Sequence, residues 1–194
     1  MMRRFATLLL FLSLGLVPGR VFAGEPIDQL SATINEFVTI MVNTPVSELR
    51  ATGLPEKALK LIYSRFDFTE MTKRSLGPHW TKLASAEQGE FVDGLTYRLL
   101  VTYGRTVRAS GDEKVVFKKE TLDGAFANVE STVVGGKSDT SIDYRLHDVN
   151  GQWRVYDMVI EDVSIVSNFR AQFEREIART SLQGLLEKIK QRQS

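Results

Sequence analysis

The side chains that could do covalent chemistry are few in this sequence. Its 194 residues include no cysteine and only two histidines, and no Gly-x-Ser-x-Gly motif occurs. His79 follows a Gly-Pro pair in a predicted loop, and His147 alternates with the apolar side chains of a predicted strand, so we expect both imidazoles to be solvated. The spacings typical of zinc and calcium sites are absent as well. Nucleophilic and metal-dependent catalysis therefore have little support.

Asp157 is the carboxylate that its surroundings single out. It is flanked by Tyr156 and Met158 inside an apolar strand. A carboxylate there is exposed on the second face, paired with a basic group, or held in a pocket, where it could serve an isomerase-like enzyme built on a small α+β cone. A salt bridge or a hydrogen bond to a helix is the structural interpretation, and we favour it.

The first 23 residues have the organisation of a secretory signal peptide. Two arginines precede an apolar run over residues 6–17, and a small-x-small pattern ends at Ala23, so signal peptidase would cleave before Gly24. The run is shorter than the roughly 20 apolar residues that span a bilayer. We therefore expect cleavage after Ala23, with a retained N-terminal anchor as the alternative.

Charge and cysteine content narrow the class of protein. Without residues 1–23 the chain has 22 basic and 24 acidic residues, a net charge of −2, which argues against nucleic acid as a partner. The absence of cysteine excludes disulfides and the acylated cysteine of a bacterial lipoprotein. Residues 24–194 must then be stabilised by burial, and they are numerous enough to form one domain. An exported chain of this kind is typical of a Gram-negative periplasm.

Helical periodicity governs residues 26–107. Apolar residues recur at three- and four-residue spacing, and prolines and two capping-box patterns mark new helix starts. The last of these helices is the longest and runs to about Val107. Its apolar side, which includes Phe91, Leu95 and Leu99, is wide enough to lie between two layers. The predicted helix starts are Pro26, Pro55, Asp67 and Ser85, and Thr44-Pro45 is a further start signal.

The period changes from helical to alternating over residues 114–160. Three dipeptides favoured in tight hairpins punctuate this part, so we predict four antiparallel strands in a meander. Alternation in the second and third strands gives one apolar and one polar face. The hairpin dipeptides are Asp123-Gly124, Gly135-Gly136 and Asn150-Gly151.

The fourth strand, residues 153–160, runs almost directly into a helix. Glu161, Asp162 and Ser164 lie where a helix start favours acceptors and negative charge, so this helix must fold back beside the sheet. Terminal helices follow over residues 164–192, with a break near Thr180-Ser181 or Gly184.

A curved sheet with one apolar face, covered by several helices, can leave an unfilled apolar pocket between the layers. Both sides of the fourth strand are apolar, and the sequence does not decide whether the set beginning at Tyr156 or the set of Trp153, Val155 and Val159 faces inward. We take the first. The predicted pocket residues are Phe91, Leu95, Leu99, Val129, Val133, Ile142, Tyr144, Leu146, Tyr156, Met158 and Ile160.

Several segments resemble the MlaC family of periplasmic phospholipid-binding proteins, also called the toluene-tolerance auxiliary component of an ABC transporter. The most specific is W-x-V-Y-D-M-V-I-E-x-V-S, from Trp153 to Ser164. The likeness covers nearly all of the chain after the signal peptide, and none of its motifs is catalytic. The other similar segments are Arg65 to Thr69, Leu76 to Trp80, Ser85 to Phe91, the pair Phe169-Arg170 with Phe173, and Gly184 to Leu186.

The resemblance implies an α+β fold, an NTF2-like cone with a helical part, whose sheet and helices enclose a cavity for phospholipid acyl chains. Phospholipid would be the cargo, and no cofactor is implied. The protein would shuttle lipid between an inner-membrane ABC transporter with an MCE-domain protein and an outer-membrane lipoprotein bound to a porin. That role maintains outer-membrane lipid asymmetry and is linked to organic solvent tolerance.

Two alternatives to a lipid carrier remain open at the level of sequence, and so does the role of three arginines. A cone-fold enzyme would centre on Asp157, and an adaptor protein would have a filled core and no ligand. Arg98, Arg105 or Arg145 could each touch a lipid phosphate, or each could be an ordinary solvated residue.

Overall fold

The structure, a computed structural model, describes residues 25–49, 53–104, 113–136 and 138–191. The predicted signal peptide, the predicted helix end at Val107 and the candidate phosphate contact Arg105 lie outside these residues. The helices are α1 (Pro26–Asn43), α2 (Glu56–Arg65), α3 (Phe68–Leu76), α4 (Ser85–Gly104), α5 (Ile165–Arg179) and α6 (Leu182–Lys190), with short 3-10 helices at Val46–Glu48 and Gly77–Lys82. The strands are β1 (Lys114–Asp123), β2 (Phe126–Val134), β3 (Thr140–Val149), β4 (Gln152–Ile160) and β5 (Val163–Ser164).

The strands form one antiparallel sheet in the order β1-β2-β3-β4-β5. The predicted α+β fold with a meander is thus confirmed, but the sheet has five strands rather than four. Glu161 and Asp162 have φ angles of 47° and 64°, and they make a two-residue turn between β4 and β5 instead of starting a helix. Ser164 does cap α5, since its Oγ accepts from the Ser167 amide at 3.0 Å.

The hairpin connections differ in length. Asn150 and Gly151 have φ angles of 56° and 84°, which suits the tight turn that the Asn-Gly pair predicts. The connection between β2 and β3 is longer than the predicted two-residue turn, because strand pairing ends at Val133 and Thr140.

A bulge at Tyr156 interrupts β4. Asp157 pairs with Arg145 and Val155 pairs with Leu146, so Tyr156 has no partner on β3. The bulge exchanges the two faces of the strand. Trp153 and Val155 therefore face inward before it, and Met158 and Ile160 face inward after it, so neither of the two sets weighed from the sequence is correct as a whole.

A second segment joins the sheet next to the bulge. The Asp67 amide donates to the Val155 carbonyl at 2.8 Å, and Phe66 forms a parallel bridge with Val155. Asp67 then caps α3 as predicted, its carboxylate accepting from the Glu70 amide at 2.9 Å. The entry into α3 is thereby fixed to the middle of β4.

The other predicted helix boundaries hold with one change. The change is at the start of α4, where the side chain of Gln88 was expected to complete a capping box. Instead, the carboxylate of Glu87 accepts a hydrogen bond from the backbone amide of Ala84, the residue before the helix, at 2.8 Å. The predicted capping box fails because the helix begins one residue earlier than its pattern requires. The break between α5 and α6 falls at Ser181, whose Oγ accepts from the Gly184 amide at 2.9 Å.

Two apolar clusters stabilise the fold. One lies where Leu30 of α1 covers the sheet, and it includes Val129, Leu146, Trp153 and Val155, all at most 1% exposed. The other joins residues of all six described helices, from Phe37 and Met41 of α1 to Ile189 of α6. Between them, α1 crosses the inner face of the sheet, and only part of that face is filled by side chains.

Candidate apolar binding cavity

The unfilled part of the inner sheet face forms a cavity of about 400 Å³. Its walls come from α1, from the segment that includes α2 and the start of α3, from the C-terminal half of α4, from the first residue of α5, and from β1 to β4. The lining residues are Thr33, Ile34, Phe37, Val38, Met41, Val42, Leu54, Ile62, Phe66, Phe68, Met71, Leu99, Leu100, Tyr103, Glu113, Val115, Val133, Thr140, Ile142, Tyr144, Met158, Ile160 and Ile165.

The sequence periodicities explain why this wall is apolar. On α1, Ile34, Phe37 and Met41 recur at the spacing of one helix face, and on the strands every second residue points inward. Of the 23 described lining residues, 18 have aliphatic, phenyl or thioether side chains. Val42, at the end of α1, is 62% exposed, so the cavity opens to solvent near that end.

The few polar groups on the wall are mostly uncharged. Burial raises the pKa of Tyr144 to about 12, although a side-chain hydrogen bond with Ser131 opposes the shift. Burial also raises the pKa of Tyr103. Glu113 is the one acidic or basic side chain among the described lining residues. Such a wall has no acid and base pair positioned for proton transfer, and it suits the binding of an apolar ligand.

Polar contacts fix one end of α1 and α2 beside the cavity. The Arg65 guanidinium donates to Thr33 Oγ1 at 3.0 Å, to Gln29 Oε1 at 2.9 Å and to the Trp153 carbonyl at 2.6 Å. Burial, followed by the nearby Arg154 charge, lowers the pKa of Arg65. One side chain thus ties α1, α2 and β4 together behind the cavity.

The structure brings six of the eleven predicted pocket residues to the cavity wall. The other five are elsewhere: Val129 and Leu146 lie on the inner sheet face but in the filled cluster under Leu30, and Phe91 and Leu95 lie in the helical core. The six at the wall are Leu99, Val133, Ile142, Tyr144, Met158 and Ile160.

Tyr156, the fifth displaced residue, lies on the outer face because it is the bulge residue. Its ring is edge-on to those of Phe126 and His147, with centroids 6.0 and 5.7 Å away, and the Arg74 guanidinium lies 4.1 Å above it. This outer cluster takes Tyr156 away from any ligand in the cavity.

The contributions of α1, α2 and α3 to the wall are absent from the sequence prediction. The apolar stripe of α1 was visible in the sequence, since Ile34, Phe37, Val38 and Met41 follow helical spacing. Which part of the sheet that stripe covers depends on packing, and no local pattern specifies it.

Asp157 is held by structural contacts outside the cavity wall. Its carboxylate accepts from Arg145 Nη1 at 3.0 Å, from Ser164 Oγ at 2.7 Å and from the Val166 amide at 3.1 Å. The favoured interpretation, an ion pair plus a hydrogen bond to a helix, describes this arrangement. Arg145 accordingly faces Asp157 rather than the cavity.

The histidines are also outside the cavity wall. His147 Nε2 lies 3.0 Å from Asp67 Oδ2, so this side chain is partnered and not simply solvated as predicted, because Asp67 is bonded to the neighbouring strand β4. His79 lies in the 3-10 helix after α3. In the part of the chain that the structure describes, no cluster of three metal-ligating side chains occurs. Within the same residues, no helix has the length and hydropathy needed to cross a bilayer.

The fold and the cavity together define a class: an open antiparallel sheet whose inner face and covering helices enclose an apolar binding site. The sequence profile described as MlaC protein matches residues 31–191. The chain therefore belongs to the MlaC family, as the resemblance predicted.

Seven solved protein chains are similar to this one. One is the phospholipid-binding protein from Ralstonia solanacearum, whose structure was determined in complex with a phospholipid. The TM-score is 0.78, the identity is 21%, and the match covers 87% of this chain and 97% of the other. At that identity the similarity establishes the fold. No curated protein matches the chain.

Proposed function

We propose that this protein binds phospholipid, with acyl chain in the apolar cavity and the head group near the open end beside Val42. The observation that carries the proposal is the cavity itself, about 400 Å³ in volume and lined by 18 apolar residues out of 23. Membership of the MlaC family and the phospholipid bound by the neighbour from Ralstonia solanacearum support it.

The energetics favour a carrier with an apolar site. Hiding ~15 methylenes from water is worth about 12 kcal/mol, at roughly 0.8 kcal/mol each. A lipid that crosses an aqueous compartment must retain most of that free energy in the protein, since otherwise it stays in the bilayer. A cavity wall with few polar groups hides the acyl chain from water in this way, and it does not select strongly among lipid head groups.

We further propose that the protein is exported to the periplasm and shuttles lipid between an inner-membrane ABC transporter with an MCE-domain protein and an outer-membrane lipoprotein bound to a porin. In this role it helps to maintain outer-membrane lipid asymmetry. The supporting observations are the signal-peptide pattern of residues 1–23 and the family. N-terminal sequencing of the protein from a periplasmic extract should begin at Gly24, and an intact Met1 in that fraction would contradict cleavage.

A transfer assay tests the carrier function. Fluorescent phospholipid in donor vesicles should reach acceptor vesicles faster when the purified exported protein is added, in proportion to its concentration. The test variant is Met158→Trp, which narrows the cavity and should slow transfer. The matched control is Leu122→Trp, which adds the same side chain at an exposed position of β1 outside the cavity and should leave transfer unchanged. Equal transfer with and without the wild-type protein would overturn the proposal.

A further inference from the structure

A second depression lies between α4, α5 and α6, and we call it the cationic cleft. It encloses about 260 Å³ and shares no lining residue with the apolar cavity. Helix α4 contributes to both, but through different residues: Arg98 lines the cleft, and Leu99 and Leu100 line the cavity. The two sites are therefore separate, and the cleft is not the mouth of the cavity.

Charge is concentrated in this cleft. Among the residues that the structure describes, four cations and one carboxylate line it, namely Arg98, Arg175, Arg179, Lys188 and Glu176. The sequence as a whole is nearly balanced, with 25 basic and 24 acidic residues. An excess of three positive charges in one depression thus arises from the packing of three helices and not from composition.

Glu176 holds two of the cations together. Its carboxylate accepts from Arg179 Nη2 and, through the other oxygen, from Lys188 Nζ at 2.7 Å. Lys188 and Arg179 lower the pKa of Glu176, so the bridge stays ionised at neutral pH. The single carboxylate neutralises one of the positive charges. The neighbouring Arg98 guanidinium lies over the Phe169 ring, 5.6 Å from its centroid.

Helix ends explain only part of this arrangement. Arg179 and Lys188 lie in the last turns of α5 and α6, where cations interact favourably with the helix dipole. Arg98 and Arg175 are not in the last turn of their helices. Their convergence with the other two cations indicates a site for an anion.

The size and floor of the cleft identify the class of anion. Its volume is below the roughly 300–1,000 Å³ of sites for drug-sized ligands, so a single small group fits better than an extended acidic peptide. Guanidinium groups bind phosphate oxygens in pairs. The buried side chains of Phe173, Leu185 and Ile189 also line the cleft, which suits a phosphate that carries an organic substituent.

We propose that the cationic cleft binds the phosphate ester of a lipid head group at a membrane surface. The choice of a lipid as the source of the phosphate rests on the proposed function, whereas the anion site rests on the cleft alone. This contact places the face formed by α4, α5 and α6 against the bilayer, apart from the cavity that holds acyl chains.

Two double variants with the same change in charge test the proposal. Arg175→Gln with Lys188→Gln removes two cleft cations. The control, Arg170→Gln with Lys190→Gln, removes one cation from each of the same two helices outside the cleft, where they pair with Glu174 and Glu90. Binding of the purified full-length exported protein is measured by sedimentation with phosphatidylcholine vesicles that contain or lack phosphatidylglycerol.

The cleft variant should bind the phosphatidylglycerol vesicles about 30-fold more weakly than wild type, at about 1 kcal/mol per cation near an anionic surface. The control should change by less than about threefold, because Arg170 and Lys190 do not line the cleft and each is already paired with a carboxylate. Arg175→Gln alone leaves both Glu176 contacts in place, so it should fold normally and bind about fivefold more weakly. Equal losses in cleft and control variants would overturn the proposal.

Competition identifies the source of the anion. Soluble glycerol 3-phosphate should displace the wild-type protein from phosphatidylglycerol vesicles. A glutamate peptide that competes where glycerol 3-phosphate does not would overturn the proposal in favour of an acidic protein partner. Binding of glycerol 3-phosphate without binding of vesicles would overturn it in favour of a free phosphate. Phospholipid that co-purifies in the cavity should be unchanged in the cleft variant, so a lipid-free wild type counts against the proposed function and not against the cleft.

Discussion

Substitutions at two valines of β2 can distinguish an unfilled cavity from a filled core. Val133 lines the cavity, whereas Val129, on the same face of β2, is 0% exposed inside the filled cluster. Tryptophan at Val133 should enter the cavity. Tryptophan at Val129 should over-pack the cluster and lower the free energy of unfolding by about 1–3 kcal/mol or more.

The effect on lipid binding follows from the space that tryptophan takes. Its side chain has about seven more non-hydrogen atoms than valine, so in the cavity it should displace at least about three methylenes of a bound chain. At roughly 0.8 kcal/mol each, the loss is about 2.4 kcal/mol, or about 50-fold in affinity. The free energy of unfolding of lipid-free Val133→Trp should stay within about 1 kcal/mol of wild type.

The assay has two readouts on each variant. Urea unfolding of delipidated protein gives the free energy of unfolding, and delipidation is needed because bound lipid stabilises the folded state by mass action. Displacement of a fluorescent phospholipid gives the affinity. The reasoning is refuted if Val133→Trp loses as much stability as Val129→Trp while its lipid affinity is unchanged, since the region at Val133 would then be solid.

Three further predictions concern buried polar groups. Asp157→Asn weakens the contacts to Arg145 and the Val166 amide. It should lower the free energy of unfolding, measured in urea, by about 1–3 kcal/mol and leave the amount of bound lipid unchanged. A loss of bound lipid would show that Asp157 takes part in binding. Burial raises the pKa of Tyr144 from an ordinary 10 to about 12 when the protein is folded. Its contribution to the free energy of unfolding, up to about 3 kcal/mol, is therefore present below pH 10 and lost between pH 10 and 12. Tyr144→Phe should remove that step from the alkaline unfolding profile, and an unchanged profile would exclude Tyr144 as its cause. Arg65→Met breaks three hydrogen bonds and should cost about 2–4 kcal/mol by urea unfolding; a loss below about 0.5 kcal/mol would show that these contacts do not tie the helices to the sheet.

The sheet could be predicted from the sequence because its signals are local. Alternation of apolar and polar residues on β2 and β3, with Asn150-Gly151 as a tight turn, specifies neighbouring antiparallel strands within short stretches of chain. Asp67 and Ser164 likewise predict helix starts, because each caps its helix by accepting from a backbone amide three residues further along the chain. These features do not depend on distant packing.

The bulge at Tyr156 could not be predicted in the same way. Residues on both sides of β4 are apolar, so either register satisfies the period-two pattern. What favours the bulge is tertiary: the Val155 carbonyl bonds Asp67, and Tyr156 packs with His147 on the outer face. The inward residues of β4 therefore change sides in mid-strand.

The position of the cavity along the sheet is the other feature that could not be predicted from the sequence. Val129 and Val133 share one face and one residue type, and only the crossing of α1 decides which is covered by Leu30 and which lines open space. The apolar stripe of α1 is visible in the sequence, but the angle at which α1 crosses the sheet depends on packing between segments that are far apart in the chain.

The central claim, that the cavity holds a phospholipid, is tested most directly by native mass spectrometry of the protein purified from its own cells without detergent. The account predicts a protein population carrying bound phospholipid, with the lipid released and identified on activation, and a much smaller bound fraction for Val133→Trp than for a control substitution outside the cavity. A protein that emerges lipid-free, and that takes up no phospholipid from vesicles, would contradict it.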